Sequence, residues 1–305
     1  MTSIITLDLS LNELQGDLPT SSMAQLCKLK LIDLSGNTWN RSISQILDIC
    51  SGCLSDSLQV LNIGDGKIYG HLTTKIGQFR SLIDLDLYNN SISGLIPESL
   101  WQLVNLQSLD ISNNQMEGII SEAHFANTTR LKFLSISDNP LTLKLGQDWV
   151  PPFQLEDLSM GSYHLGPKFP MWVRSQKSLS SLGLSNTSLA DVLPAWIFNF
   201  SLELQYLDLS QNQMHGRIPN LTNVGTQRYS TIDLSQNHFE GPLPFVSSKV
   251  SKLDLSDNRL SGSISQFLCS SPSEPMNIWP LSILPIINCQ ENYPTVGVSG
   301  TIHRS

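Results

Sequence analysis

The segment Leu204–Pro219, LQYLDLSQNQMHGRIP, decides the fold of this chain. Leu207 and Leu209 lie two residues apart, as they do in a short strand with one buried face. Asn212 follows, and its side-chain amide can bond backbone groups that a tight bend leaves unpaired. Gly216 permits a backbone geometry that is closed to other residues, and the final proline ends any strand or helix. Such a segment cannot bury its own leucines, so the pattern predicts a stack of copies.

Copies of this segment run through most of the chain, mostly in steps of 24 or 25 residues. Aligned on the Asn position, they define eleven coils, which we number 1 to 11, at Asn12, Asn37, Gly66, Asn90, Asn114, Asn139, Tyr163, Thr187, Asn212, Asn237 and Asn258. The three coils that lack the Asn keep the spaced apolar residues. Residues 1–265 are therefore predicted to form one solenoid, whose core grows linearly with the number of coils. The leucine spacing ends there, and the proline-rich residues 266–305 are expected to be irregular or disordered.

Two departures from the regular coil have local explanations. Coil 2 is the longest, and its extra residues are expected on the side away from the strand. Coil 6 is followed by Asp148–Leu155, DWVPPFQL, in which Trp149 and Phe153 are predicted to pack on the flank of the solenoid. Trp172 and Trp196 occupy matching positions in the next two coils and favour flank packing over a ligand pocket.

The composition argues against several classes of partner. The 305 residues carry a net charge of −8, and no cluster of Lys and Arg is present, which disfavours nucleic acid and anionic membranes. No apolar run approaches the roughly 18 to 20 residues that cross a bilayer. Met1 is followed directly by the core residues of coil 1, so no signal peptide is expected in this chain.

Neither a catalytic site nor a metal or cofactor site is predicted. Cys50 and Cys53 have a zinc-like spacing but lack a second pair, so a buried thiol or a local disulfide is favoured there. The sequence alone does not pair the five cysteines. The six histidines share no coil position with a serine and a carboxylate, and no phosphate-binding glycine loop or kinase motif occurs.

The strand residues between the leucines are expected to point to the concave face. Four positions before the Asn position they are mostly acidic, except in coils 6 to 8, where they are Ser135, Ser159 and Gly183. Because the same Asp recurs in most coils, it indicates solubility and turn bonding and not paired catalytic acids. The neutral window predicts a ligand-binding patch, in which aromatic side chains lie beside small residues. Its residues are Phe133, Ser135, Ser159, Gly183 and Tyr206. The alternative for Phe133 is that its ring leans on the neighbouring strand.

Six Asn-x-Ser/Thr sequons occur in the chain. Four fall on predicted flanks or loops and are the candidate glycosylation sites: Asn40, Asn127, Asn199 and Asn220. Asn89 and Asn186 lie just before the turn, where a glycan would crowd the concave edge.

The coils resemble the plant-type leucine-rich repeat, L-x-x-L-x-L-x-x-N-x-L-x-G-x-I/L-P, and their length fits such repeats. Four coils carry the G-x-I/L-P ending, at Gly16–Pro19, Gly94–Pro97, Gly216–Pro219 and Gly241–Pro244. Longer segments resemble the middle of the defence-type plant receptor-like proteins, which lack a kinase: DWVPPFQL at 148–155, LGPKFPMW at 165–172 and QKSLSSLGLSNTSL at 176–189. SGSISQFLC at 261–269 resembles the coil that precedes the later repeats of that family.

This resemblance implies an α/β-class, β-rich leucine-rich-repeat solenoid, a curved superhelix with a parallel β-sheet on its concave face. It also implies an extracellular, glycosylated ectodomain on the plasma membrane that binds a protein, peptide or glycan, with signalling by a separate receptor kinase. The family's co-receptor contacts lie on later repeats, so none is transferred to this chain. Because the family's leader, caps, island and membrane span have no counterpart here, a truncated copy without independent activity is one alternative. A soluble inhibitor of a secreted pathogen hydrolase is another.

Overall fold

One continuous parallel sheet runs the length of the solenoid. The computed structural model describes residues 3–16, 23, 25–146, 148–201, 203–222 and 230–264. Across these ranges eleven strands, one for each coil, pair in sequence order. They are Thr6–Asp8, Leu31–Asp33, Val60–Asn62, Asp84–Asp86, Ser108–Asp110, Phe133–Ser135, Asp157–Ser159, Ser181–Gly183, Tyr206–Asp208, Ser230–Asp233 and Val250–Asp254. The leucine-rich-repeat solenoid with its parallel concave sheet is therefore confirmed. Residues 266–305, expected to be irregular, lie outside the described ranges, and the domain boundary stays a prediction.

The core is a ladder of apolar side chains that meet across neighbouring coils. Leu207 is fully buried and pairs in register with Leu182 on one side and Ile232 on the other. Each coil covers the apolar face of the next, which is why a single coil cannot fold alone.

Two smaller parallel sheets follow one flank in the described part of the chain. The first contains Tyr69–His71, Ser91–Leu95, Gln115–Ser121 and Leu141–Lys144, and the second contains His215–Gly216, His238–Gly241 and Arg259–Leu260. Coils 7 and 8 contribute no strand to either sheet among their described residues. Pro167 of coil 7 has no N–H group to donate to a neighbouring strand, which accounts for part of this gap.

The side away from the concave sheet carries short helices. The longer coil 2 forms two α-helices, Ile43–Ile49 and Cys53–Ser57, where the sequence predicts its extra residues. Among the described residues of the later coils, short 3₁₀ helices occupy this side at Thr74–Gln78, Leu100–Gln102, Glu122–Phe125, Met171–Ser175 and Ala195–Phe198.

The cysteines of coil 2 have different roles. Cys53 forms a disulfide with Cys27, 26 residues earlier in the chain, so local pairing with Cys50 is wrong. Cys50 is a buried thiol, and burial raises its pKa to about 12. Of the two cysteines with the zinc-like spacing, Cys50 therefore lies in the core, and Cys53 joins two segments that are about one coil apart in the chain.

The Asn ladder stabilises the turn after the strand in the eight coils that keep the Asn. The Nδ2 group of Asn212 donates to the carbonyl oxygens of Leu209 (3.0 Å) and Ser210 (3.0 Å) in its own coil, and of Leu184 (2.8 Å) in the preceding one. Its Oδ1 atom accepts from the backbone N–H groups of Thr187 (2.9 Å) and Leu189 (3.0 Å). The Asn side chain thus bonds the backbone of two coils at once.

In two of the coils without the Asn, another side chain bonds the carbonyl of the preceding coil that the Asn would have bonded; Tyr163 does so from its own coil, and Trp39 does so from within the preceding coil. Where Gly66 replaces Asn, Nε1 of Trp39 donates to the Leu34 carbonyl at 2.6 Å. Where Tyr163 replaces Asn, its hydroxyl donates to the Ile136 carbonyl. These carbonyls are the ones that the missing Asn side chains would have bonded in a regular coil.

The residue before the Asn position adopts a left-handed backbone conformation in every coil. Its φ is 53° at Asn186, 56° at Gln211 and 51° at Asp257. Glycine is not required there, since coil 2 alone has a glycine at this position, Gly36. Gly216, which the sequence singles out, also has a positive φ, of 77°.

The aromatic residues of coils 6 to 8 pack on the flank, as the sequence predicts. The Trp149 ring contacts those of Phe153 and Trp172, with centroids 6.0 and 5.3 Å apart, and Phe153 and Trp172 are buried. Trp196 packs between Phe169 and Phe200. These rings therefore form part of the hydrophobic core or pack against it.

Candidate functional site

Two rows of side chains project from the concave sheet, since every second residue of each strand points outward. The first row consists of Thr6, Leu31, Val60, Asp84, Ser108, Phe133, Asp157, Ser181, Tyr206, Thr231 and Lys252. The second row consists of Asp8, Asp33, Asn62, Asp86, Asp110, Ser135, Ser159, Gly183, Asp208, Asp233 and Asp254. Strict register between neighbouring coils makes each row continuous.

The recurring Asp of the second row bonds the turn that follows its strand. Oδ1 of Asp208 accepts from the backbone N–H of Ser210 (2.9 Å) and from its hydroxyl (2.6 Å). The same pair of bonds recurs at Asp8, Asp33, Asp110, Asp233 and Asp254. This turn-bonding role accounts for the recurrence without any catalytic role.

The five residues predicted to bind a ligand all lie on this sheet. Ser135, Ser159 and Gly183 are consecutive in the second row. Phe133 and Tyr206 stand in the first row, three strands apart, which at the usual strand spacing is about 14 Å. Their side chains are 43% and 42% exposed. We name these five residues the concave patch; their part in binding stays a prediction.

Asp157 is the residue of this surface that the sequence reasoning missed. It lies in the first row between Phe133 and Ser181, so the window that is neutral in the second row contains a carboxylate in the first. The sequence could have identified it, because Asp157 lies two residues before Ser159 in the same strand and therefore points to the same face. The Tyr206 hydroxyl in turn donates to Oδ2 of Asp208 at 3.3 Å, which orients the ring along its strand.

A depression of about 510 Å³ opens on the concave sheet over coils 2 to 7. Phe133 and Ser135 of the concave patch line it, together with Asp84, Asp86 and Asp157. Ser159, Gly183 and Tyr206 are not part of its lining. The concave patch therefore begins in this depression and continues beyond it along the sheet.

Burial and mutual repulsion change the acidity of this depression. Burial, together with the charges of Asp110, Asp84 and Asp33, raises the pKa of Asp86 to about 6, against the opposing effect of the hydrogen bond from Tyr88 N–H. Burial also raises the pKa of Asp84 and of Asp157, although hydrogen bonds from serine side chains oppose the change. The depression consequently gains negative charge as the pH rises through the pKa values of these carboxyl groups.

Neither a metal site nor a membrane span is found in the described part of the chain. Among its residues, no group of three or more His, Cys, Asp or Glu side chains is arranged to hold a metal ion. None of the helices in these ranges is both long and apolar enough to cross a membrane.

The candidate glycosylation sites are accessible. Asn40, Asn127, Asn199 and Asn220 are all exposed. Oδ1 of Asn220 accepts the Phe245 N–H at 3.1 Å, a bond that leaves its Nδ2 atom open to a sugar. Exposure permits modification but does not show it, so these four sites stay predictions.

Known proteins share both the repeat and the architecture of this chain. Leucine-rich-repeat family models match residues 56–116, 203–223 and 249–271. Receptor-like protein EIX2 of Solanum lycopersicum is 42% identical over 144 residues, which cover 47% of this chain and 14% of that protein. Receptor-like protein EIX1 of the same species is 43% identical over 129 residues, which cover 42% of this chain and 12% of that protein. Over these segments the chain is similar to leucine-rich-repeat receptor-like proteins of plants.

Solved structures show the same architecture. The plant peptide hormone receptor RGFR1, in complex with RGF2, superposes with a TM-score of 0.67 and 27% identity, covering 86% of this chain and 41% of that one. The structure of PEPR1–AtPEP1 has a TM-score of 0.61 at 21% identity over 88% of this chain and 44% of that one, which is evidence for the fold alone. The matches to the two tomato proteins span about one-seventh and one-eighth of their lengths.

Proposed function

We propose that this receptor-like chain is a non-enzymatic recognition module that binds a peptide or protein ligand at its concave patch. The observation that carries the proposal is the pair of exposed rings, Phe133 and Tyr206, on the same row of a rigid sheet. Exposed aromatic side chains with small neighbours are typical binding anchors. RGFR1, which is similar in fold and sequence, is a peptide hormone receptor in complex with RGF2, which supports a peptide ligand here.

The second row allows a ligand backbone to approach closely. Ser135, Ser159 and Gly183 carry short or no side chains, so little side-chain volume projects from the sheet between the two rings. Acidic side chains in the neighbouring coils favour a ligand segment that carries positive charge. A glycan ligand would use the same exposed rings and hydroxyls, and it is an outcome of the test below.

We place this module outside the plasma membrane, in an immune receptor-like protein whose signal passes through a separate receptor kinase. The Cys27–Cys53 disulfide supports this location, because such links form and persist in oxidising compartments. Glycosylation at the exposed sequons belongs to the same proposal.

The test is a selection with a random-peptide display library on the immobilised chain, with a glycan array probed in parallel. Enriched peptides are then measured against Phe133→Ala/Tyr206→Ala. Loss of one aromatic anchor costs about 2 kcal/mol, so each substitution should weaken binding about 30-fold while the fold stays intact.

The matched control is Val104→Ala/Val150→Ala, which truncates two exposed apolar side chains outside the concave strands. These substitutions should leave binding unchanged. Peptides that bind the Phe133→Ala/Tyr206→Ala variant as tightly as the wild type would exclude the patch. If only glycans are retained by the wild type and lost by this variant, the patch stands but the peptide ligand does not.

A further inference from the structure

A second depression lies away from the concave patch, on the flank of coils 5 to 7. Its volume is about 470 Å³. Side chains from three coils line it, among them Gln107, Thr129, Arg130, Pro151, Pro152 and Gln154. It forms between the Pro151–Pro152 segment, which precedes the strand of coil 7, and residues 129–132, which lead into the strand of coil 6. The Pro-Pro pair occurs in this part of the chain alone. Ligand recognition, as proposed above, makes no use of it.

The sequon Asn127-Thr128-Thr129 reaches this depression at its last residue. Thr128 is buried, and both its backbone N–H (3.2 Å) and its hydroxyl (3.0 Å) donate to the Phe125 carbonyl. This anchor turns Thr128 inward and leaves Asn127 and Thr129 exposed on either side of it. Thr129 itself lines the depression, and two residues span at most about 7 Å. The pair of N-acetylglucosamine units that begins an N-linked glycan is longer than this separation.

The lining suits a neutral sugar better than a charged ligand. The Lys132 ammonium is paired with Glu156 at 2.8 Å, and Nη1 of Arg130 donates to Oδ1 of Asn105 at 2.9 Å. The charge of Lys132 is therefore paired within the protein, whereas Arg130 stays charged and can donate to sugar hydroxyl oxygens. Sugar rings combine C–H faces with a rim of hydroxyl groups, and the proline rings and the side-chain amides of the lining offer the matching surfaces.

Covalent attachment makes a weak contact sufficient. A ligand tethered by a short flexible linker has an effective concentration in the millimolar range, so even a contact of low intrinsic affinity is populated. We propose that the glycan on Asn127 folds back into this depression and bridges coils 5 to 7, with its first sugars against Pro151 and Pro152. The proposal requires occupancy of Asn127 and is independent of the ligand of the concave patch.

The experiment uses the full chain secreted from a eukaryotic host behind a supplied leader. Mass spectrometry measures occupancy at Asn127, and hydrogen exchange is compared between the wild type, Asn127→Gln and the matched control Asn199→Gln. The informative amides are those of Leu155 and Glu156, which lie one coil away from the sequon and donate to Oε1 of Gln176 (2.8 Å) and to the Lys132 carbonyl (2.7 Å). They should exchange about fivefold faster in Asn127→Gln, the effect of losing about one net hydrogen bond of protection. In Asn199→Gln they should exchange as in the wild type.

Trimming the glycan of the folded wild type with an endoglycosidase provides an independent readout, because it changes no residue. Removal of all but the first sugar should accelerate the same two amides if the second sugar contributes to the contact. The proposal is overturned if Asn127 carries no glycan. Equal exchange in the wild type and Asn127→Gln, or equal acceleration in both Asn variants, would also overturn it.

Discussion

The Asn ladder makes a quantitative prediction for Asn212→Ala. Removal of this side chain leaves two buried donors, the N–H groups of Thr187 and Leu189, without their shared acceptor. The carbonyls are less affected, because Leu184 still accepts from the Thr187 hydroxyl (2.8 Å) and Leu209 from Asn237 (2.9 Å). At about 2 kcal/mol for each orphaned donor, the free energy of unfolding should fall by about 4 kcal/mol.

The matched control is Asn12→Ala, at the same position of coil 1. Asn12 is exposed and bonds the carbonyls of Leu9 (3.1 Å) and Ser10 (2.9 Å). Its loss should cost about 1 kcal/mol or less, because water can replace these bonds.

Urea unfolding followed by circular dichroism measures both changes. Hydrogen exchange in coils 8 and 9 shows whether the loss is local, because repeat proteins open in sections. Equal destabilisation by the two variants would refute the assignment of the ladder as an inter-coil support.

Three further predictions concern the core, the disulfide and the acidic depression. Leu207→Asp should lower the free energy of unfolding by about 4 kcal/mol or more, because it buries a charge in a leucine ladder; an unchanged thermal melt would contradict the register. Cys27→Ser should cost about 3 kcal/mol in urea unfolding, and a reductant should destabilise the wild type but not this variant. Asp86→Asn should stabilise the protein by about 1 kcal/mol at pH 7 after allowance for solvent screening. The raised pKa of Asp86, about 6, disfavours its ionised form in the folded state, so this gain should disappear between pH 6 and pH 4; a gain that persists at pH 4 would contradict the assignment.

The sequence by itself determined the coil, its repetition and the direction of its side chains. Leu207, Leu209 and Asn212 lie within one short segment, and the strand and the turn that they specify depend on neighbours in sequence. Because the period is nearly constant, one correctly aligned coil places the equivalent residues of all the others. The spacing of the leucines is therefore sufficient to predict the concave rows, including Phe133 and Tyr206.

The tertiary structure alone decided which residues meet between coils. The Cys27–Cys53 link, the replacement of a missing Asn by Tyr163 and the place of Asp157 beside Phe133 all join residues about one coil apart in the chain. A repeat pattern describes what the coils share, whereas these contacts arise where coils differ. The same holds for the two depressions, whose shapes depend on side chains from three or more coils. Local spacing encodes the solenoid, but the individual surface of this one is a product of packing between unlike neighbours.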